Sequence, residues 1–248
     1  MSKDEYLIMD PPLKALTVFA MPMILGSFFQ QVYNMADSII VGQFVGSSAL
    51  AAVGACAALT NVFICVALGA GVGAGVLVSR YFGAGNYRKM KTIVSTSLIS
   101  FLILSILLGV LGFDFSHSMM CLLQTPADIL KEAVLYLHVY FVGFPFLFMY
   151  NILSTMFTSI GESKIPLGLL IFSSVLNIFM DLWMVAVLGL GVFGAALATL
   201  IAQGISAVLS LLIFLRRMRR YKSQFDWFDK QELHSMLQIA VPSVLQQS

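Results

Sequence analysis

Two aspartates stand inside stretches that are otherwise almost wholly apolar. Asp181 closes the segment Ser173-Ser174-Val-Leu-Asn177-Ile-Phe-Met-Asp181, and Asp37 follows Gln30 and Asn34 in an earlier one. In hydrocarbon an ionised Asp costs about 2.5–3.5 kcal/mol even on the mildest insertion scales. Residues four apart share a helix face, so Asn177 and Ser173 lie one and two turns before Asp181 on its own side. At 100° per residue Gln30, Asn34 and Asp37 fall within about 60° of one another, as do Thr199, Gln203, Ser206 and Ser210. Such rows of hydroxyls and amides can serve as interhelical glue worth about 0.6 kcal/mol per contact. A carboxylate at that depth more often lines a cavity, an ion site or a proton relay. Burial and a neighbouring like charge both disfavour ionisation, so Asp37 and Asp181 together can hold a proton. The same oxygens, with Asn177 and Thr199, can instead coordinate Na⁺. Residue chemistry leaves both open.

The elements that must position these groups are helices in a membrane. Of 248 residues 59% are hydrophobic and only 10% charged, against roughly 25% charged in soluble domains. Long apolar runs without strand alternation predict an all-α integral membrane protein rather than a barrel. Runs of spanning length fall at 15–41, 49–79, 92–113, 132–160, 166–188 and 192–215. A seventh begins near Leu233 and meets the last residue, Ser248, about 24 Å along a helix, short of a full span. The domains expected are a cytoplasmic segment at 1–14, retained rather than cleaved, a six-helix unit at 15–215, a basic linker at 216–232 and the start of a further helix at 233–248. With the N-terminus inside, thirteen of the fourteen basic residues (Lys3, Lys14, Arg80, Arg88, Lys89, Lys91, Lys164, Arg216, Arg217, Arg219, Arg220, Lys222 and Lys230) fall on one side. Only Lys131 faces out, a strong positive-inside signal for a multi-pass protein of the cell membrane. This orientation puts Asp37, Asp181 and Thr199 at one depth, in the outer half.

Other motifs carry less. The loop Gly83-Ala84-Gly85-Asn86 lacks P-loop spacing and a preceding strand, so it reads as a tight turn. Arg216-Arg-Met-Arg-Arg220 lies at the inner end of a span and reads as an anchor to lipid headgroups, not a nucleic-acid patch. Cys56 and Cys65 read as small hydrophobes, and the three histidines have no metal-ligand spacing. Pro22, with Gly26 one turn on, can bend the first span either statically or as a hinge, and Pro145 can do the same in the fourth. An intramembrane aspartyl protease is disfavoured because Asp37 follows Ala36 and Asp181 follows Met180. No enzyme chemistry is expected.

The chain resembles the multidrug and toxic compound extrusion (MATE) transporters. The resemblance rests on a Pro-containing first helix ending in Ala36-Asp37-Ser38, on Phe82-Gly83-Ala84-Gly85 and on Gly161-Glu162-Ser163. Most specific is Asn177-Ile-Phe-Met-Asp181 followed by Gly189-Leu-Gly191-Val-Phe-Gly194-Ala195-Ala196-Leu-Ala-Thr199. It implies one lobe of a two-lobe fold plus a truncated seventh helix, the C-terminal lobe being the missing partner. The pattern Phe19-Ala20-Met-Pro22-Met-Ile-Leu25 indeed returns as Ile239-Ala240-Val-Pro242-Ser-Val-Leu245. It further implies H⁺- or Na⁺-coupled antiport of small organic, often cationic, compounds, with no organic cofactor. Asp37, Asn177, Asp181 and Thr199 match the family's cation site, and Tyr136 and Asn151 match further polar lining on the fourth helix. Gln30, Asn34, Ser173 and Gln203 join that lining. Asn151 reaches Tyr136 only if Pro145 bends the helix, and Ser154 stands where some relatives carry an amide. The alternatives are a flippase for lipid-linked sugars, against which the absence of basic residues inside a span argues, and a non-transporting half-unit.

Overall fold

The computed structural model describes residues 12–221 and 223–247, so Lys3, Lys222, Ser248 and most of the expected segment 1–14 lie outside the described residues. Among the described residues there are seven helices and no strand: α1 (Pro12–Phe44), α2 (Ser47–Gly83), α3 (Tyr87–Leu122), α4 (Ala127–Ser159), α5 (Lys164–Asp181), α6 (Gly191–Met218) and α7 (Lys230–Gln247). A π-helical turn, Leu182–Val187, extends α5 beyond Asp181. Five helices are long and apolar enough to cross a membrane: α2, α3, α4, α5 with its π turn, and α6. The expected first span falls in α1, which is not among the five and whose second half carries Gln30, Gln31, Asn34 and Asp37. The helices overrun the apolar runs, α3 by five residues at its start and nine at its end, because polar ends outside hydrocarbon continue the same hydrogen-bond ladder.

Three helix ends close by the same device. After α2, the Asn86 N–H reaches back to the Tyr81 carbonyl at 3.0 Å and the Gly85 N–H to Phe82 at 3.0 Å, a Schellman cap with Gly85 at φ +69°. Asn86 then caps α3 by accepting from the Lys89 N–H at 3.2 Å. Gly83-Ala84-Gly85 is therefore a turn, as its composition predicts. Gly161 closes α4 in the same way, and Gln124 closes α3 at φ 55° without a glycine.

Helix α4 is the spine, packed against α2, α3 and α6. Its Phe141 and Phe144 meet Phe63 of α2 edge-on, with ring centroids 4.9 and 5.5 Å apart, and Phe148 meets Phe144 edge-on at 5.6 Å. Residues Gly69 to Gly75 of α2 present glycine at every second position, which on a helix makes two faces. Gly71 and Gly75 sit against Thr155 of α4, while Gly69 and Gly73 sit against Val244, Ala240 and Met236 of α7. Without side chains the backbones approach directly, the usual basis of close packing between apolar helices. At the start of α7, Asp229 caps the helix by accepting from the Gln231 N–H at 2.8 Å. Buried Glu232 accepts from the Tyr81 hydroxyl at 3.2 Å and pairs with Lys89 at 3.3 Å. The hydrogen bond to Glu232 raises the Lys89 pKa above its usual value. Arg217 pairs with Glu162 at 3.2 Å. These contacts gather the basic ends of α2, α3, α5 and α6 on one face of the bundle.

A Cβ at Gly73 would lie 2.7 Å from the Met236 carbonyl oxygen and 3.0 Å from the Ala240 nitrogen, and backbone cannot swing aside. Gly73→Leu is expected to part α7 from α2 at an overpacking cost of about 1–3 kcal/mol. A thermal melt in detergent should show a lower midpoint, while Gly54→Ala, which meets nothing within 4 Å, should leave it unchanged.

Candidate functional site

The two acidic stripes meet where α1, α5 and α6 pack together. Helical spacing puts Tyr33 and Asp37 one turn apart on α1, and Ser173, Asn177 and Asp181 on successive turns of α5. Asn177 is 1% exposed and Asp181 0%. The Asn177 Nδ2 donates to Thr199 Oγ1 of α6 at 3.2 Å. The Tyr33 hydroxyl shares a hydrogen bond with the same Thr199 oxygen at 3.4 Å. The carboxyl groups of Asp37 and Asp181 lie within hydrogen-bonding reach of each other. Tyr33 faces both.

Donors are scarce here. Asp37 Oδ1, Asn177 Oδ1 and both oxygens of Asp181 are buried and, among the described residues, meet no hydrogen-bond donor. Two ionised carboxylates only accept, so their proximity satisfies neither. A proton or a cation is the kind of group that such a surplus of acceptors would take. Ile40 and Val41 of α1 and Val192 and Ala195 of α6 join Ala49 and Val185 in a small apolar cluster, with Tyr136 and Ile178 against it. Asp181 also marks the change from α to π winding, where the Leu188 N–H returns to the Trp183 carbonyl five residues back at 3.0 Å. Single π turns are rare and recur at functional sites.

The other expected residues divide. Tyr136 faces Asp37 and Tyr33, and it lines a narrow crevice with Tyr140, Gly143, Thr199 and Gln203. Ser173 lies two turns below Asp181 and donates to the Ala202 carbonyl at 3.4 Å. Gln30 and Asn34 bond to each other at 3.4 Å on an exposed part of α1. Pro22 is buried inside an unbroken α1. Asn151 is not brought to the cluster. Helix α4 runs through Pro145 without interruption, which leaves Asn151 about 22 Å along the axis from Tyr136. There its amide donates to its own helix, to Leu147 at 2.8 Å. Ser206 and Ser210 continue the α6 stripe as buried hydroxyls without partners among the described residues. Sequence reasoning missed Tyr33 and the π turn. Tyr33 had a signal, its place one turn before Asp37, but an aromatic in an apolar run reads as packing.

A model of the MatE family matches residues 22–183, which runs from Pro22 to just beyond Asp181. The chain is 31% identical over 243 residues to YoeA of Bacillus subtilis, named a probable multidrug resistance protein, covering 93% of this chain and 52% of that one. It is 27% identical over 252 residues to the multidrug export protein MepA of Staphylococcus aureus, covering 98% and 55%. A crystal structure of MATE in the bent conformation superposes with a TM-score of 0.89 at 27% identity, covering all of this chain and 56% of the other. The chain thus spans about half the length of the curated relatives it matches.

Replacing Asp181 by Asn gives Asp37 a donor and removes a like-charge contact. Asp181→Asn is therefore expected to stabilise the fold by about 1–3 kcal/mol, visible as a higher melting midpoint in detergent at pH 8. An unchanged or lower midpoint would mean that the carboxylate oxygens already have a partner.

Proposed function

This chain belongs to the MatE family, a multi-pass membrane protein, and we propose that it forms the coupling lobe of an antiporter that exports small organic, often cationic, compounds in exchange for H⁺ or Na⁺. The observation that carries the reading is the surplus of buried acceptors: oxygens of Asp37, Asn177 and Asp181 converge from two helices with no donor among them. Its cation site comprises Asp37, Asn177, Asp181 and Thr199, with Tyr33 holding the Thr199 hydroxyl in place. Residues 15–215 make one six-helix lobe in which α1 crosses the membrane with the other five. The linker at 216–232 leads to the first helix of a second lobe, in keeping with the half-length match to the relatives. The N-terminus lies in the cytoplasm and the protein sits in the cell membrane, because the basic helix ends share one face.

In the proposed cycle the empty site leaves two like charges facing each other. A proton or Na⁺ entering from outside neutralises the pair and draws α1 towards α5 and α6, and α1 bends around Pro22. That movement closes the lining of Tyr136, Gln203 and Ser173 against substrate and expels it outward. The basic side chains sit at helix ends, which suits export of cationic compounds better than the binding of a lipid pyrophosphate.

In the transporter encoded by the whole reading frame, Asp37→Asn and Asp181→Asn are each expected to abolish coupled efflux while the protein still reaches the membrane. Cells carrying both changes and retaining full drug resistance would overturn the site assignment. Proteoliposomes given a pH gradient or a Na⁺ gradient separately identify the ion: one gradient alone should drive dye efflux, and loss of either aspartate should silence it.

A further inference from the structure

Between α6 and α7 the chain does not run free. The Asp226 N–H donates to Thr92 Oγ1 at 3.1 Å, the Ser95 hydroxyl donates to the Trp227 carbonyl at 2.7 Å, and the Asp229 N–H donates to Thr96 Oγ1 at 3.0 Å. Thr92, Ser95 and Thr96 are the first hydroxyls of α3's apolar stretch, about 6 Å of helix. The linker backbone is thereby fixed at the start of the α3 apolar stretch, with three of its polar groups satisfied by α3 side chains.

The side chains it carries there are aromatic and turned outward. Trp227 is 73% exposed, Phe228 44% and Phe225 36%. Phe225 and Trp227 lie 5.4 Å apart, and the Lys91 ammonium sits 5.7 Å over the Phe225 ring. The acids of the segment are engaged within the chain: Asp226 pairs with Arg88 at 3.4 Å, and Asp229 caps α7. Arg216, Arg219 and Arg220 stay exposed at the end of α6 nearby. Outward aromatics at the edge of an apolar span, rimmed by basic side chains, are the chemistry of a phospholipid headgroup interface.

We propose that residues 224–229 are an interfacial anchor, seating the rings of Phe225, Trp227 and Phe228 at the headgroup–acyl boundary of the bilayer, with Lys91 and the α6 arginines towards lipid phosphates. The anchor ties the junction of α6 and α7 to the membrane plane. It rests on the chain's membrane character and not on transport, so failure of the antiport reading leaves it standing.

The 248-residue chain, which is tested as it stands, has two tryptophans, Trp183 and Trp227. Trp183→Phe leaves Trp227 as sole emitter, and Trp227→Phe supplies the reciprocal spectrum for subtraction from the unaltered protein should the first variant fail to fold. Each is reconstituted in phosphatidylcholine–phosphatidylglycerol vesicles whose acyl chains carry bromine either near the headgroup or near the chain end. The expected result is blue-shifted Trp227 emission, quenched far more by shallow bromine than by deep bromine and little by acrylamide. Emission quenched by acrylamide but by neither bromolipid would show a loop in water and overturn the proposal. Emission shielded from all three quenchers would show a protein surface covering the segment and overturn it equally.

Discussion

The structure turns on one imbalance: where α1, α5 and α6 meet, buried acceptor oxygens outnumber donors. Asn177 spends its amide on Thr199, and Thr199 is shared with Tyr33. Nothing among the described residues remains for the Asp181 oxygens. A buried acceptor left unsatisfied costs about 1–3 kcal/mol, and more when charged. Close packing in the rest of the bundle offsets that cost.

That packing is unequal. Helix α4 has neighbours on three sides, and the glycine faces of α2 bring α4 and α7 to backbone contact. The half of the molecule built from α2, α3, α4 and α7 is held by dispersion at short range and by the Glu232, Lys89 and Tyr81 contacts at one end. Helix α1 is different. Its main neighbour is α5, and Ile24, Phe28, Met35 and Ile39 are exposed on its surface. The carboxylate most able to move is therefore on the helix least constrained by packing.

Much of this was legible in the residues. A 100° wheel put Asn177 beside Asp181 and set Thr199 on a polar row of α6, and an all-helical membrane protein followed from the apolar runs. Gly85 and Gly161 announced their turns because only a left-handed residue closes a helix so sharply. What stayed hidden depended on three-dimensional neighbours. Tyr33 belongs to the site through a hydroxyl that reaches α6, which spacing along α1 does not encode. The π turn after Asp181 has no compositional signature. Asn151 carries a polar group of the right kind, yet its own helix offers a carbonyl one turn back, and a local bond formed at 2.8 Å outcompetes a distant cluster. Thr92 and Thr96 near the start of α3 carry no signal of their own, and only the returning chain makes them a clasp.

Magnitudes decide how the imbalance acts on α1. Two like charges about 4 Å apart repel by roughly 4 kcal/mol at an effective dielectric near 20. Burying one large apolar side chain returns about 1.5–3 kcal/mol. Neutralising the Asp37–Asp181 pair thus changes the balance by as much as reseating one or two side chains of α1. Such a change cannot displace α4, whose packed phenylalanines oppose it many times over. It is ample for a helix with one principal neighbour and a proline in its first half. In the proposed cycle the placement on two helices matters, because a pair confined to α5 would repel within one rigid rod and move nothing.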